Sequence, residues 1–278
     1  MPGRSDIFYM PMLPPKSWQP PDEPNVYPKV VPEFIKARLW KWKPKSWVPP
    51  SNWHSLPRKE LDPFGCVWEY AENDATKGHP GAGEPMKNFA LLDSWRFPDP
   101  YDASQYRFFS RVGRLFWRKY KVALLDSLIY ARVQYLRGFT PSLTDMRKNA
   151  APLKQLIAKL KDYYLGAIEM WHKFGADAVY GQDDMGAQNE PFMSPRMYKE
   201  FYAPAYKELA QRANELGMKF ILHSCGHVND LIPIWIDCGI DALQFDSPRM
   251  TGLDFDAQFA GKIVFHMEIG RASCRERV

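Results

Sequence analysis

The chain has 278 residues, 45% of them hydrophobic and 25% charged, with a formal net charge of +5. That length fits one large domain or two small ones with a sizeable core. The mild charge argues against nucleic acid or an anionic membrane as partner, no stretch is long and apolar enough to span a bilayer, and the N-terminus lacks a secretory pattern.

Residues 1–60 hold about half of the 25 prolines. Pro14-Pro15, Pro20-Pro21 and Pro49-Pro50 alternate with Trp18, Trp40, Trp42, Trp47 and Trp53. Such spacing forbids long helices and predicts an irregular arm, packed onto the folded body by its tryptophans. Aromatics beside Lys41, Lys43 and Lys45 can mimic a nucleic-acid surface, but a packed covering segment is the preferred reading. Residues 61–100 read as a hairpin-like insert, with a strand over Phe64–Tyr70, a turn over Lys77–Gly81, and Pro98-Asp99-Pro100 closing it. A helix is expected from about Ala103 to Lys119.

From residue 121 onward the pattern turns regular. Val122–Leu125 is strand-like, and Leu153, Leu156, Ile157, Leu160, Tyr164, Ile168 and Trp171 recur at helical spacing until Gly175. Ala178–Gly181 reads as a strand. Ser194-Pro195 caps the next helix, which Gly217 ends. Then come a strand over Met218–Leu222, a helix over Val228–Cys238, a strand over Ala242–Phe245, a short helix and a strand over Ile263–His266. Alternation with short connections is the mark of a parallel α/β fold. Polar residues repeatedly come after the strands: Asp183-Asp184, then His223 and Cys225, then Asp246-Ser247. That placement predicts a (β/α)8 barrel with its active site at the C-terminal strand ends. A doubly wound open sheet is the alternative, but no glycine-rich phosphate loop follows any strand.

His223-Ser224-Cys225-Gly226 carries the strongest chemical signal. Side chains alternate along a strand, so His223 and Cys225 face one way and Ser224 the other. An imidazole and a thiol side by side make half of a zinc site. The pair also fits a core histidine and a small buried cysteine that need no metal. Asp183 and Asp184 lie on opposite sides of a strand end, so one of them should face the mouth, as an acid/base or substrate-orienting group or as a cap. Gln188 and Asn189 are candidates for substrate hydrogen bonds.

The last ten residues, Ile269–Val278, resemble the translation of a sequencing adapter. The natural sequence is therefore expected to stop near Glu268, in a reading frame assembled from metagenomic DNA. Without that tail three Arg and one Glu go, the charge falls from +5 to +3, and Cys66, Cys225 and Cys238 remain. Three widely spaced cysteines make no disulfide framework and suit a reducing cytoplasm. The expected organisation is an arm over 1–60, a partial barrel over 61–268 and a tail over 269–278. About two strands short of closure, such a barrel should expose edges and be poorly soluble and inactive.

Gly175-Ala176-Asp177-Ala178, Asp183–Gln188, Ser194-Pro195, Tyr206-Lys207, His223–Gly226 and Gly239–Leu243 together resemble the uroporphyrinogen decarboxylase superfamily. Leu136-Arg137-Gly138 and Asp145 also fit; within the superfamily the resemblance is to its zinc-dependent, cobalamin-linked methyltransferase branch, which Phe64–Glu69 and Phe97–Pro100 fit as well. The resemblance covers roughly residues 60–268. It implies a (β/α)8 TIM barrel and a zinc ion held by His223 and Cys225. It also implies methyl transfer between a corrinoid carried by a partner protein and a small thiol or similar acceptor. In this branch the third zinc ligand comes from a later cysteine, expected beyond the present chain; Cys238 fits helix packing better, and His227 a helix start or solvent. Two alternatives remain: decarboxylation of a tetrapyrrole with Asp183 or Asp184 as acid/base, although the family's Arg-rich substrate motif is missing, and a non-catalytic corrinoid-binding module.

Overall fold

The computed structural model describes residues 7–16, 18, 26–28, 57–72, 79–80, 85–245 and 258–267. Trp40, Trp42, Trp47 and Trp53, Asp246-Ser247, residues 248–257 and the adapter-like tail lie outside the described residues; of the short helix expected before the last strand, Gln258-Phe259 are described and helical.

Among the described residues ten strands form two sheets. In chain order they are β1 Ile7–Pro11, β2 Val26–Pro28, β3 Arg58–Leu61, β4 Val67–Tyr70, β5 His79–Pro80, β6 Tyr120–Ser127, β7 Ala178–Gln182, β8 Lys219–His223, β9 Ala242–Phe245 and β10 Val264–Met267. The large sheet runs β1-β6-β7-β8-β9-β10, every neighbouring pair parallel. Consecutive strands lie side by side with helices crossing between them, as a barrel requires, and among the described residues the sheet is not closed. The small sheet runs β2-β3-β4-β5.

One correction concerns the N-terminal arm. Ile7–Pro11, expected to be irregular, is the edge strand of the large sheet, with Met10 fully buried. The strand closes on Pro11, ahead of the Pro14-Pro15 pair. An edge strand tolerates a proline whose missing N–H would face away from its single partner, so the prolines leave this segment free to pair with β6.

Seven helices matter for the site: α1 Arg107–Arg114, α2 Ile129–Arg137, α3 Phe139–Lys148, α4 Ala150–Lys173, α5 Pro195–Phe201, α6 Ala203–Glu215 and α7 Ile232–Asp237. The helix expected over 103–119 is shorter. A 3-10 turn at Ala103–Gln105, capped by Asp102 on the Ser104 amide at 2.9 Å, precedes α1. After Arg114 the chain tightens into turns closed by Leu115 N–H to Val112 O and Phe116 N–H to Gly113 O. The helix must stop there for β6 to start at Tyr120, opposite Ile7.

The core obeys the sequence pattern. Leu153, Leu156, Ile157, Leu160, Tyr164, Ile168 and Trp171 are all buried along α4. Each such side chain stabilises the fold by about 1.5–3 kcal/mol on burial. The outer face of α4 is tied to α6 by Lys161–Glu208 at 2.7 Å and Arg212–Glu169 at 2.9 Å. Ser194 Oγ accepts from the Met197 amide at 3.4 Å with Pro195 in the first turn of α5. Gly175 and Gly217 adopt φ of +84° and +74° just past α4 and α6, a conformation that terminates a helix. Among the described residues no helix is long and apolar enough to cross a membrane.

The small sheet is anchored to the barrel by Arg132 of α2. Its guanidinium meets Asp62 at 2.5 Å and lies 4.1 Å from the Phe64 ring centroid. Asp62 also accepts from the Phe64 and Cys66 amides, each at 2.9 Å, and from Trp68 Nε1 at 3.2 Å.

Candidate metal centre

β7 and β8 deliver the chemistry at their C-terminal ends. The loops after them are paired: Gly186 N–H donates to Cys225 O at 3.1 Å, and His227 N–H donates to Ala187 O at 2.8 Å. Gly186 and Gly226 touch backbone to backbone. A Cβ on Gly186 would lie 2.5 Å from the Gly226 carbonyl carbon, and Gly226 holds φ +81°. Only glycine allows this approach at both positions. Its consequence is that Asp184, on one loop, sits against Cys225, on the other.

Asp184 Oδ1 accepts from the Cys225 amide at 3.0 Å and lies 3.3 Å from His223 Nε2. His223 Nε2 lies 3.2 Å from Cys225 Sγ. The ligand atoms of Asp184, His223 and Cys225 all fall within 4.8 Å of one another. His223 is buried, Cys225 half-buried and Asp184 exposed, so the group opens to solvent on one side. Burial opposes ionisation of Asp184, but the adjoining His223 ring and the Cys225 amide outweigh it and hold its carboxyl below the usual range. Ser224 points the other way, as strand alternation predicts; its Oγ accepts from the Met185 amide at 3.0 Å.

Asp183 has a different fate. It is fully buried, and its oxygens accept from the Ala131 amide at 2.6 Å, the Tyr130 amide at 3.2 Å and the Tyr206 hydroxyl. It thereby caps the N-terminus of α2 from a neighbouring strand, where orphan amides and the helix dipole favour a carboxylate. Burial pushes its carboxyl up, against the pull of the two amides. Of the two carboxylates, Asp184 alone joins the His223–Cys225 pair.

Gln188 and Asn189 occupy the exposed tip of the loop after β7, which closes through the Ala187 amide on Glu190 O at 2.8 Å. Among the described residues no hydrogen bond joins either side chain to the cluster. Cys238 packs instead between helices, its Sγ donating to Ala203 O at 3.5 Å and its thiol pushed up to about 11 by burial. His227 is half-buried and stands outside the cluster.

Two residues escaped the sequence reading. Gln244 of β9 is in register with His223, and its Oε1 accepts from His223 Nδ1–H. Tyr180 of β7 donates its hydroxyl to the same oxygen at 3.0 Å. A glutamine inside the apolar run Ala242–Phe245 was the available signal. Asp184 is the third candidate donor that the structure brings to the pair.

An imidazole nitrogen, a thiol and a carboxylate oxygen within 4.8 Å of one another suit one ion bound at about 2.0–2.3 Å, and zinc is an ion that accepts such donors. The fold and the cluster therefore define an open parallel α/β barrel with a candidate metal centre at its strand ends.

Residues 130–258 match the family model described as uroporphyrinogen decarboxylase (URO-D). Over that segment, just under half of the chain, it is similar to the uroporphyrinogen decarboxylase superfamily. Among solved structures it is similar to a methyltransferase from Methanosarcina mazei, at 16% identity and a TM-score of 0.55, over 73% of this chain and 59% of that one. The chain thus spans less than two thirds of that protein's length. Two more distant likenesses are an IOLI protein with a bound zinc atom (16% identity, TM-score 0.36, 57% of this chain and 55% of that one) and a 2,3-dimethylmalate lyase (11% identity, TM-score 0.35, 68% and 62%). No curated protein matches the chain.

Proposed function

We propose that the chain is a zinc-dependent methyltransferase of the uroporphyrinogen decarboxylase superfamily, moving a methyl group between a corrinoid on a partner protein and a small thiol or similar acceptor. The observation that carries the reading is the cluster of His223 Nε2, Cys225 Sγ and Asp184 Oδ1 within 4.8 Å at the strand ends. The family match and the likeness to a methyltransferase support it. The mouth of a barrel is also where a (β/α)8 enzyme works.

His223, Cys225 and Asp184 would hold the ion. Zinc there would supply a Lewis acid that favours the thiolate form of an acceptor thiol. Cys225 gives a soft donor. Asp184, exposed and held ionised, adds negative charge to the donor set and can orient an incoming acceptor. Asp183 acts from behind, fixing α2 against the strand that bears Asp184, and contributes no proton at the mouth because its oxygens are taken. Gln188 and Asn189, at the exposed tip, would meet substrate or the corrinoid partner. Reduced cysteines and this chemistry suit the cytoplasm.

The test is zinc content of the purified chain and of His223→Ala and Cys225→Ala, followed by methyl transfer from methylcobalamin to a small thiol with and without a chelator. The reading expects stoichiometric zinc, lost in both variants, and transfer abolished by chelation. Folded protein without zinc affinity would overturn it. Tetrapyrrole decarboxylation that survives chelation would establish the decarboxylase alternative.

A further inference from the structure

We propose that Gln244 and Tyr180 form a positioning relay for His223, fixing its tautomer and the direction of its Nε2 lone pair; the metal part of this inference rests on the proposed function above.

The relay spans three adjacent parallel strands. Tyr180 is on β7, His223 ends β8, and Gln244 faces His223 across the β8–β9 register. His223 and Gln244 are both buried. The orientation of the Gln244 amide is set by its neighbours. Its Nε2 donates to Phe245 O at 3.1 Å, which leaves Oε1 as the atom facing His223. A carbonyl oxygen only accepts, so the hydrogen bond requires the proton on His223 Nδ1. In a neutral imidazole Nε2 is then bare. That bare nitrogen is the one placed 3.2 Å from Cys225 Sγ and 3.3 Å from Asp184 Oδ1.

Tyr180 completes the device. Its hydroxyl donates to the second lone pair of the same Oε1 at 3.0 Å, and its ring lies 6.2 Å from the imidazole centroid. Gln244 is thus held by one bond it donates and two it accepts. Losing Oε1 removes the acceptor that keeps the proton on Nδ1. The other tautomer would direct an N–H at Cys225 and Asp184 and block the lone pair that a cation needs. Groups in this position around metal-binding histidines are worth about 10–100-fold in metal affinity.

The experiment uses the whole chain and three variants. Gln244→Leu removes the acceptor at similar size, Gln244→Glu keeps an acceptor, and Tyr180→Phe removes the second donor. The first readout needs no metal: 15N chemical shifts of the His223 ring, above its titration range. The expected result is protonated Nδ1 and bare Nε2 in the unaltered chain, a shift toward the other tautomer in Gln244→Leu, and retention in Gln244→Glu. The second readout is zinc affinity by chelator competition. Gln244→Leu should lose about 10–100-fold, Gln244→Glu should recover most of it, and Tyr180→Phe should lose less than Gln244→Leu. Thermal melts of the metal-free proteins separate this from a packing defect, which would lower stability without moving the tautomer. If Gln244→Leu does not fold, Tyr180→Phe carries the test through the same shifts. A proton on Nε2 in the unaltered chain, or unchanged tautomer and affinity in the acceptor-free variant, would overturn the relay. Absence of zinc binding by the unaltered chain would sink the metal reading while leaving the tautomer result to stand on its own.

Discussion

Two cysteines in this molecule sit beside charged residues, and they differ in nearly everything else. Cys66, just before β4 of the small sheet, is buried against Asp62 and Arg132, with Sγ 3.9 Å from the guanidinium. Burial first, and the Asp62 charge second, push its thiol well up. Asp62 meanwhile spends its oxygens on Arg132, Trp68 and two backbone amides. Cys225 is half-buried at a strand end, beside an imidazole nitrogen and an exposed carboxylate. The first cluster turns its carboxylate and guanidinium on each other and holds two pieces of the fold together. The second keeps lone pairs aimed at one point with a route to solvent. Proximity of charged and sulfur groups is common to both; convergent ligand atoms that open to solvent are what mark the site.

Substitutions at the two clusters break or sharpen that contrast. The largest expected effect is on metal: Cys225→Ala or His223→Ala should abolish stoichiometric zinc, while Cys66→Ala should leave zinc unchanged, as metal analysis of the purified proteins will show. Next comes stability at the other cluster. Arg132→Ala leaves Asp62 buried without its cation and should cost about 3–5 kcal/mol in urea unfolding. If it costs nothing, the anchor between small sheet and barrel is misread.

The adjacent carboxylates divide along the same line. Asp183→Ala strips the cap from α2 and should destabilise by about 1–3 kcal/mol. Asp184→Ala should leave the melting temperature nearly unchanged but weaken zinc measurably. The reverse pattern would exchange their roles. Gly226→Ala forces a side chain into the left-handed region and into the Gly186 backbone, at a cost of about 1–3 kcal/mol. Because the same contact seats Asp184 on Cys225, zinc affinity should fall with it. The smallest effect is expected at Cys238→Ala, a packing change of about 1 kcal/mol with full zinc retention; loss of zinc there would make Cys238 a ligand.

Local pattern carried much of the architecture. The apolar spacing of α4, the Ser194-Pro195 cap and the glycines after α4 and α6 each depend on residues within a turn or two, and the structure agrees with them. The edge strand Ile7–Pro11 was lost in a proline-rich composition because pairing with β6, more than 100 residues later, is what makes it a strand. The single long helix expected before β6 failed for a related reason: the start of β6 is set by its partner and not by helix propensity.

At the site the same division holds. The sequence alone determined that His223 and Cys225 share a face and that Ser224 does not, because alternation along a strand is local geometry. It also determined that only one of Asp183 and Asp184 could reach the mouth. Which one, and that it would meet Cys225, was decided by the tertiary structure through the backbone contact of Gly186 with Gly226. The alignment of Gln244 and Tyr180 with His223 was decided there too. Register between strands is fixed by the packing of whole helices and sheet faces, and no window of sequence contains it.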